Sequence, residues 1–361
     1  MPSSVHIDSY REWSGGQAQS LGLALALAAR GEETHFIVQP GSELAARIRG
    51  THLSWEAMPL RGLIGLSSAG RLARRLRGIG PDIVHIHESA SHVVAGMAAR
   101  VAGKPKIIVT RRTERPLRSG WVGVGKYRLW CDKLICVSEA IKRRYLNGGL
   151  PEKLLTVIPD FVDCRHFDPA AAPARDSATS PTVLIVGQLS PDKGHRILLW
   201  AMREVIRRTP DACLRIVGQG EEEPRLRAQA QRLGLGTRVE FTGFLPDVRS
   251  ALAQADVFVQ PSLLEGLGLA VLEAMAMARP VVVSDAGGLP ELVARSETGL
   301  VVPAGDAGAL TEAILSLLQN PDRARHMGAA GRERALRQFD RSMIVERMLA
   351  LYDEVLSEAR R

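Results

Sequence analysis

The feature that most constrains this chain is an alternation of short apolar strands and helical stretches that runs, stops and starts again. Strand-like segments at 34–39, 82–87, 106–110, 134–137 and 155–158 are spaced by helical stretches at 16–30, 67–77 and 91–102. The stretch 168–181, DPAAAPARDSATSP, then breaks the periodicity and reads as a linker. Strands resume at 182–187, 214–217, 239–242, 257–261 and 280–284, with helices such as 195–208 and 223–233 between them. Alternation of this kind buries parallel strands under helices on both faces and places ligands at the carboxyl ends of strands. The expected fold class is α/β, with two doubly wound Rossmann-like domains facing across a cleft. The first domain spans 1–167, the linker 168–181 and the second domain 182–339. The remaining 340–361 reads as an amphipathic helix with Ile344, Met348, Leu351 and Val355 on one stripe.

A length of 361 residues suits two domains at about 100–200 residues each. With 45% apolar and 24% charged residues, a disordered chain is excluded. The longest apolar stretch, 21–29, is well short of the roughly 18 residues that span a bilayer. The leader MPSSVHIDSYREW lacks the basic start of a secretory signal. Cys131, Cys136, Cys164 and Cys213 form no CxxC pair and read as buried thiols, so a cytoplasmic protein is expected. Charge is uneven: residues 1–165 hold 24 Lys and Arg against 14 Asp and Glu, and the rest hold 23 against 25. A basic first half attracts anionic partners. Aromatics at 4% are too sparse for base-stacking platforms, so nucleic acid is not the expected anion.

The sharpest motif is PSLLEGLGLAVLE at 261–273, read as strand, glycine-rich turn and helix. Gly266 and Gly268 let backbone approach a ligand, and the N–H groups opening the helix favour an anion such as a pyrophosphate. Glu265 lies on the loop side, where a carboxylate can accept hydrogen bonds from sugar hydroxyls. Glu273, one turn into the helix, suits a second polyol such as ribose. Alone, either glutamate would more readily be a cap or a solvated side chain; the surrounding pattern reverses that.

The spacing of Glu265 and Glu273 resembles the E-x7-E signature of the retaining glycosyltransferases of family 4, which have the GT-B fold. Other segments agree in type and spacing: GGLPE at 287–291, GLVV at 299–302 and Asp306 downstream. GQLSPDKG at 187–194 matches the family's phosphate loop, VGQG at 217–220 its next glycine pair, and SGG at 14–16 its first glycine loop. DIVHIH at 82–87 matches its D-x-V-H-x-H strand. The resemblance covers most of the chain and is strongest over 182–306. It implies a C-terminal helix returning to the first domain, a donor held by the second domain and an acceptor held by the first.

By that resemblance, the donor contacts are Gly15, Gly16, Gln188, Gly218, Leu245, Gly266, Leu267, Gly268, Leu269 and Glu273. Lys193, Glu265 and His87 form the catalytic set. Lys193 is a point charge for a departing diphosphate. Gln188 stands where the family has arginine; it can donate a hydrogen bond but cannot clamp a phosphate in bidentate fashion. Arg111 and Arg112, which open RRTERPLR at 111–118, are the candidate compensating cations and the expected acceptor contacts. His85 and His87 share one strand face. His85 reads as a core histidine with ordinary hydrogen bonds, and His87, ending the strand, as the residue beside the reacting sugar. A metal is not expected, because two histidines lack a third ligand and the family implies none. GQG at 218–220 is no dinucleotide fingerprint, since Glu223 stands where the last glycine would fall.

The expected activity is a retaining, metal-independent hexosyl transfer from a UDP-, GDP- or ADP-linked sugar to a glycan or lipid-linked acceptor. A cofactor is not expected, and lipopolysaccharide or another envelope glycan is the expected product class. Rival readings are a nucleotide-sugar epimerase or sugar phosphorylase of the same fold, or a non-catalytic nucleotide-binding module. LIGLSSAGRLARRLR at 63–77 sets Leu66, Leu72 and Leu76 among Arg71, Arg74, Arg75 and Arg77. It reads equally as a helix lying on an anionic membrane surface, which would make the protein peripheral, or as a core-packed helix with solvated arginines.

Overall fold

The structure, a computed structural model, describes residues 3–60, 65–103, 105–113, 121–172 and 180–358. It divides into two compact units, Met1–Asp160 with Arg341–Arg361, and Phe161–Asp340. The first carries seven parallel strands, β1 (Ser4–Asp8), β2 (Thr34–Val38), β3 (Ser54–Ala57), β4 (Ile83–Ile86), β5 (Lys106–Arg111), β6 (Lys133–Cys136) and β7 (Leu155–Val157), in the order β3-β2-β1-β4-β5-β6-β7. The second carries six, β8 (Thr182–Val186), β9 (Cys213–Val217), β10 (Val239–Gly243), β11 (Val257–Gln260), β12 (Val281–Ser284) and β13 (Gly299–Val302), in the order β10-β9-β8-β11-β12-β13. Each unit is a doubly wound α/β sheet, as expected. Runs such as Val-Val-Val in β12 and Ile-Val-His-Ile in β4 are wholly buried, because helices cover both faces of a parallel sheet.

Strand order reverses between β1 and β4 in the first sheet and between β8 and β11 in the second. These are the switch points where crevices open beyond the carboxyl ends of the strands. Both sites described below lie there.

β1 has no counterpart among the expected strands, because its sequence Ser-Val-His-Ile-Asp alternates polar and apolar residues inside what reads as a polar leader. It is central and fully buried, pairing with β2 and β4 and setting His6 opposite His85. The unit boundary also differs from the expected 168–181 linker. Residues 161–167 lie with the second unit, because Val162 N–H donates to the Phe339 carbonyl at 2.9 Å and Cys164 N–H to Asp340 Oδ1 at 3.2 Å. Arg332 holds the next residues through the Phe167 carbonyl and Asp168. Much of the expected linker, 173–179, falls outside the described residues.

The C-terminal helix, Arg341–Ser357, belongs to the first unit and buries Ile344, Met348, Leu351, Tyr352 and Val355. Its Tyr352 hydroxyl meets His85 Nδ1 at 2.7 Å, and Glu354 pairs with Lys133 at 3.0 Å. The basic helix, Gly65–Ile79, turns Leu72 and Leu76 into the core and its arginines outward. Those two leucines are therefore already spent on the fold, while the side chain of Leu66 lies outside those described. Arg75 pairs with Glu56 at 2.7 Å and Arg77 donates to the Val101 carbonyl, while Arg71 and Arg74 are exposed. Leu63, at the start of that stretch, is outside the described residues. No described helix is long and apolar enough to cross a membrane. All four cysteines are free thiols.

Candidate active site

In the second unit the site begins where two glycine loops cross. Gly187 N–H donates to the Val217 carbonyl at 2.9 Å, and Leu189 N–H to the Gln219 carbonyl at 3.0 Å. Gly218 sits at φ +139°, and a Cβ there would lie 1.9 Å from the Gly187 carbonyl oxygen. Only glycine allows so close a passage. Gly194, at φ +72°, is equally constrained: its Cβ would lie 1.9 Å from the Pro261 carbonyl oxygen. That contact brings the loop after β8 against the loop after β11, and Leu263 N–H donates to the Asp192 carbonyl at 2.7 Å.

The two loops deliver their charged residues to one point. Lys193 Nζ donates to Glu265 Oε2 at 2.7 Å, and Ser262 Oγ donates to the same oxygen at 3.0 Å. Gln260 Nε2 and the Ser284 hydroxyl fix Ser262 from beneath, at 2.9 Å and 2.6 Å. Two of the three expected catalytic residues are thus in direct contact. Gly268, at φ +108°, caps the helix Leu269–Ala276 and packs where a Cβ would strike Leu289. Gly266 and Leu267 are buried in the turn before it, and Leu269 is half-buried at the first helical position.

Glu273 lies four residues after Leu269 on the same helix face. Burial, with the charge of Asp247 adding to it, pushes its carboxyl up to about 7. Asp247 itself is held by Arg249 at 2.6 Å. Leu245, just before Asp247, is half-buried, and Phe244 beside it is exposed. Gln188 is exposed on the phosphate-type loop. Sequence reasoning missed His195, directly after Gly194. It is buried, neither ring nitrogen has a hydrogen-bond partner, and burial lowers its pKa to about 4.

In the first unit the switch point gathers Asp8 at the end of β1 and Ser9 after it, His87 and Glu88 after β4, and Arg111 at the end of β5 with Arg112 after it. Gly15 and Gly16 open the helix Gly15–Ala29, where Gly16 N–H donates to the capping Ser14 hydroxyl. Asp8 accepts from Gln17 Nε2, Ser20 Oγ and the Tyr10 N–H beneath that helix. Burial nonetheless raises its pKa to about 6, with the Glu88 charge contributing. Glu88 accepts from the Ser9 hydroxyl at 2.7 Å and from Ser91 N–H at 2.9 Å.

Arg112 is not a spare cation. Its Nε donates to Asp160 Oδ1 at 2.8 Å, both side chains are largely buried, and its NH1 reaches the His87 carbonyl. Arg111 donates to the Tyr145 hydroxyl at 2.8 Å and to Thr113. The other arginines of that stretch, Arg115 and Arg118, lie outside the described residues. Sequence reasoning also missed Lys126, whose buried ammonium donates to Ser89 Oγ at 2.8 Å. Burial, with Arg111 nearby, lowers its pKa to about 8.

His85 is fully buried, and its nitrogens meet Tyr352 and Thr110 at 2.7 Å each. His87 is buried beside it, and its pKa is held well below the usual imidazole range by burial, with His85, His6 and Arg112 adding to it. The premise that two histidines lack a third ligand does not hold. His6 joins them from β1, and the three offer nitrogens within 4.8 Å of one another. All of their ring nitrogens but His87 Nδ1 are already engaged, however: His6 meets Ser4 and His87, and His85 meets Tyr352 and Thr110. A cation here would have to displace those hydrogen bonds.

Comparison with known proteins agrees with this architecture. Residues 13–166 match Glycosyltransferase Family 4, and residues 171–334 match Glycosyl transferases group 1. The chain is 30% identical over 354 residues to the phosphatidyl-myo-inositol mannosyltransferase of Mycobacterium leprae, covering 94% of this chain and 93% of that one. It is 33% identical over 290 residues to a GDP-mannose-dependent alpha-(1-6)-phosphatidylinositol monomannoside mannosyltransferase of Mycolicibacterium smegmatis, covering 74% of this chain and 75% of that one. Among solved structures, Anabaena HepE in complex with UDP and glucose superposes with a TM-score of 0.86 at 20% identity, covering 98% of this chain and 100% of that one. The two doubly wound units and their matched sequences place the chain in glycosyltransferase family 4, with the GT-B fold.

Proposed function

We propose that the chain is a retaining, metal-independent glycosyltransferase that moves mannose from GDP-mannose onto a phosphorylated envelope glycolipid. The observation that carries the reading is the Lys193–Glu265 contact at the switch point of the second sheet. It sets an ammonium suited to a diphosphate against a carboxylate suited to sugar hydroxyls. The names of the two mannosyltransferase relatives support the donor and the acceptor class. The basic first half supports an anionic acceptor, and lipopolysaccharide belongs to the same chemical class.

In this mechanism Lys193 and the helix N-terminus at Leu269 neutralise the diphosphate as the glycosidic bond breaks. Glu265 orients the sugar. Its Oε2 accepts from Lys193 and Ser262, which hold the carboxylate in place to accept hydrogen bonds from the sugar's hydroxyls. With the acceptor hydroxyl held on the face the diphosphate leaves, its oxygen bonds to the anomeric carbon there as the bond to the diphosphate breaks, its proton passes to the departing diphosphate oxygen, and configuration is retained. Glu273 accepts from the ribose diol, and His87 Nδ1 meets a hydroxyl at the reacting sugar. Arg111 and Lys126 receive the acceptor's phosphate.

A thermal-shift screen of nucleotides and nucleotide sugars tests the donor half, since a ligand bound to the native state raises Tm. GDP and GDP-mannose should give the largest shifts. A transfer assay on phosphatidylinositol acceptors tests the rest. Turnover that requires inorganic phosphate in place of the glycolipid would mark a phosphorylase instead.

A further inference from the structure

His87 Nδ1 is the one ring nitrogen of the three clustered histidines for which the structure shows no partner, and it is buried. Its other nitrogen, Nε2, lies 2.8 Å from His6 Nδ1, and His6 Nε2 lies 3.2 Å from the Ser4 hydroxyl. The His6 and His87 rings are within 14° of parallel with centroids 5.1 Å apart, as befits an edge-to-edge hydrogen bond between nitrogens. Ser4, His6 and His87 therefore form one row, with a hydroxyl at one end and the partnerless nitrogen at the other.

In such a row the protons are correlated. A neutral imidazole carries one proton, so one nitrogen donates and the other accepts. Burial keeps His6 neutral, lowering its pKa to about 3, and does the same for His87. Only two arrangements then satisfy both hydrogen bonds. In one, Ser4 donates to His6, His6 Nδ1–H donates to His87 Nε2, and His87 points an N–H outward from Nδ1. In the other, His87 Nε2–H donates to His6 Nδ1, His6 Nε2–H donates to Ser4, and His87 Nδ1 is a bare acceptor. A buried N–H without a partner is costlier than a lone pair without one, so the free protein adopts the second arrangement.

We propose that His6 is a positioning residue that fixes the tautomer of His87, so that His87 Nδ1 is offered as an acceptor for a substrate hydroxyl. This deepens the function proposed above and rests on its placement of His87 at the reacting sugar. A hydroxyl donating to Nδ1 leaves the row unchanged. A ligand presenting only an acceptor oxygen would force both ring protons to shift, and so is disfavoured. The row thus selects for hydroxyls at this point by the direction of its hydrogen bonds.

The test is long-range proton–nitrogen correlation NMR on the full chain labelled with nitrogen-15 histidine, near neutral pH. His6 and His87 should both show the neutral Nε2–H pattern. A proton on Nδ1 of His87 overturns the proposal, whatever the activity. His6→Phe removes the acceptor facing His87 and should shift His87 toward the Nδ1–H form, with kcat falling by at least about tenfold. His6→Asn, which keeps an amide near the position of Nδ1, should hold His87 as Nε2–H and restore kcat to within about threefold of wild type. If His87 keeps the Nε2–H form in His6→Phe, His6 sets nothing and the inference fails even if Tm falls. If the tautomer follows but kcat does not, the positioning role stands and the placement of His87 at the sugar fails. Should His6→Phe not fold, the wild-type spectrum still decides which arrangement the row adopts.

Discussion

Lys193 and Glu265 are 72 positions apart in the chain, and the Lys193 ammonium donates to the Glu265 carboxylate at 2.7 Å. In the free protein the cation suited to the diphosphate is thus held by the carboxylate suited to the sugar. Ligand must share or replace that contact. Glu265→Gln should therefore cut turnover by at least about tenfold, equal to about 1.4 kcal/mol of barrier, while GDP binds no more weakly than to wild type. Lys193→Ala should lose both turnover and GDP affinity. Calorimetric titration beside steady-state kinetics reads both, and GDP binding lost equally in the two variants would contradict the division of roles.

If Glu273 meets the donor as proposed, it should carry the pH dependence of donor binding. Its pKa is raised from 4.5 to about 7 by burial, so it is protonated in mildly acidic solution and gains acceptor capacity on ionising. GDP-mannose should bind more tightly as pH rises through about 7, and Glu273→Gln should flatten that slope. The nucleotide sugar is the right probe, because it lacks the terminal phosphate of GDP that titrates in the same range. The linked effect on stability has the opposite sign. With its folded pKa raised, Glu273 contributes stability that is present below 4.5 and lost as pH rises through about 7. Glu273→Gln should thus raise Tm relative to wild type more at pH 8 than at pH 5, with no ligand present.

Gln188 stands where the family places arginine, and of the two cations named to replace that charge one is paired with a carboxylate and the other is assigned above to the acceptor's phosphate. Arg112 is paired with Asp160, and Arg111 is held by Tyr145 and Thr113. Gln188→Arg should therefore tighten GDP binding by about tenfold at low salt, an advantage that shrinks as salt screens it. Unchanged or weaker binding in titrations at two ionic strengths would mean that another cation already serves the diphosphate.

Membrane attachment, if it follows from the basic helix Gly65–Ile79, must be electrostatic. Its Leu72 and Leu76 face the core, and Arg71 and Arg74 are exposed. Each basic side chain near an anionic surface contributes about 1 kcal/mol, so Arg71→Ser with Arg74→Ser should lower pelleting with anionic vesicles several-fold. Salt should abolish pelleting of wild type. Pelleting that survives high salt would require an apolar anchor that this helix does not supply.

Much of the fold was legible because parallel strands buried on both faces read as apolar runs, as in β4, β8 and β12. The second-unit site was legible for a related reason. Glycines forced by backbone crossings, such as Gly194 and Gly218, stand at fixed positions beside the residues they bring together. β1 was not legible. His6 and Asp8 make it look like part of a polar leader, and only the three-dimensional register shows that these polar groups are buried and hydrogen-bonded to one another's neighbours. The pairing of Arg112 with Asp160, 48 positions apart, was hidden for the same reason: a charge reads as free until the sheet order brings its partner to it.

The central claim is transfer with retention, and the anomeric configuration of the new linkage tests it most directly. The protein would be incubated with GDP-mannose, a phosphatidylinositol acceptor and EDTA, and the product's one-bond carbon–proton coupling at the anomeric centre measured. The account predicts an α-linked mannoside, formed at an undiminished rate with the chelator present. A β-linked product, or transfer that EDTA abolishes and a divalent metal restores, would contradict it.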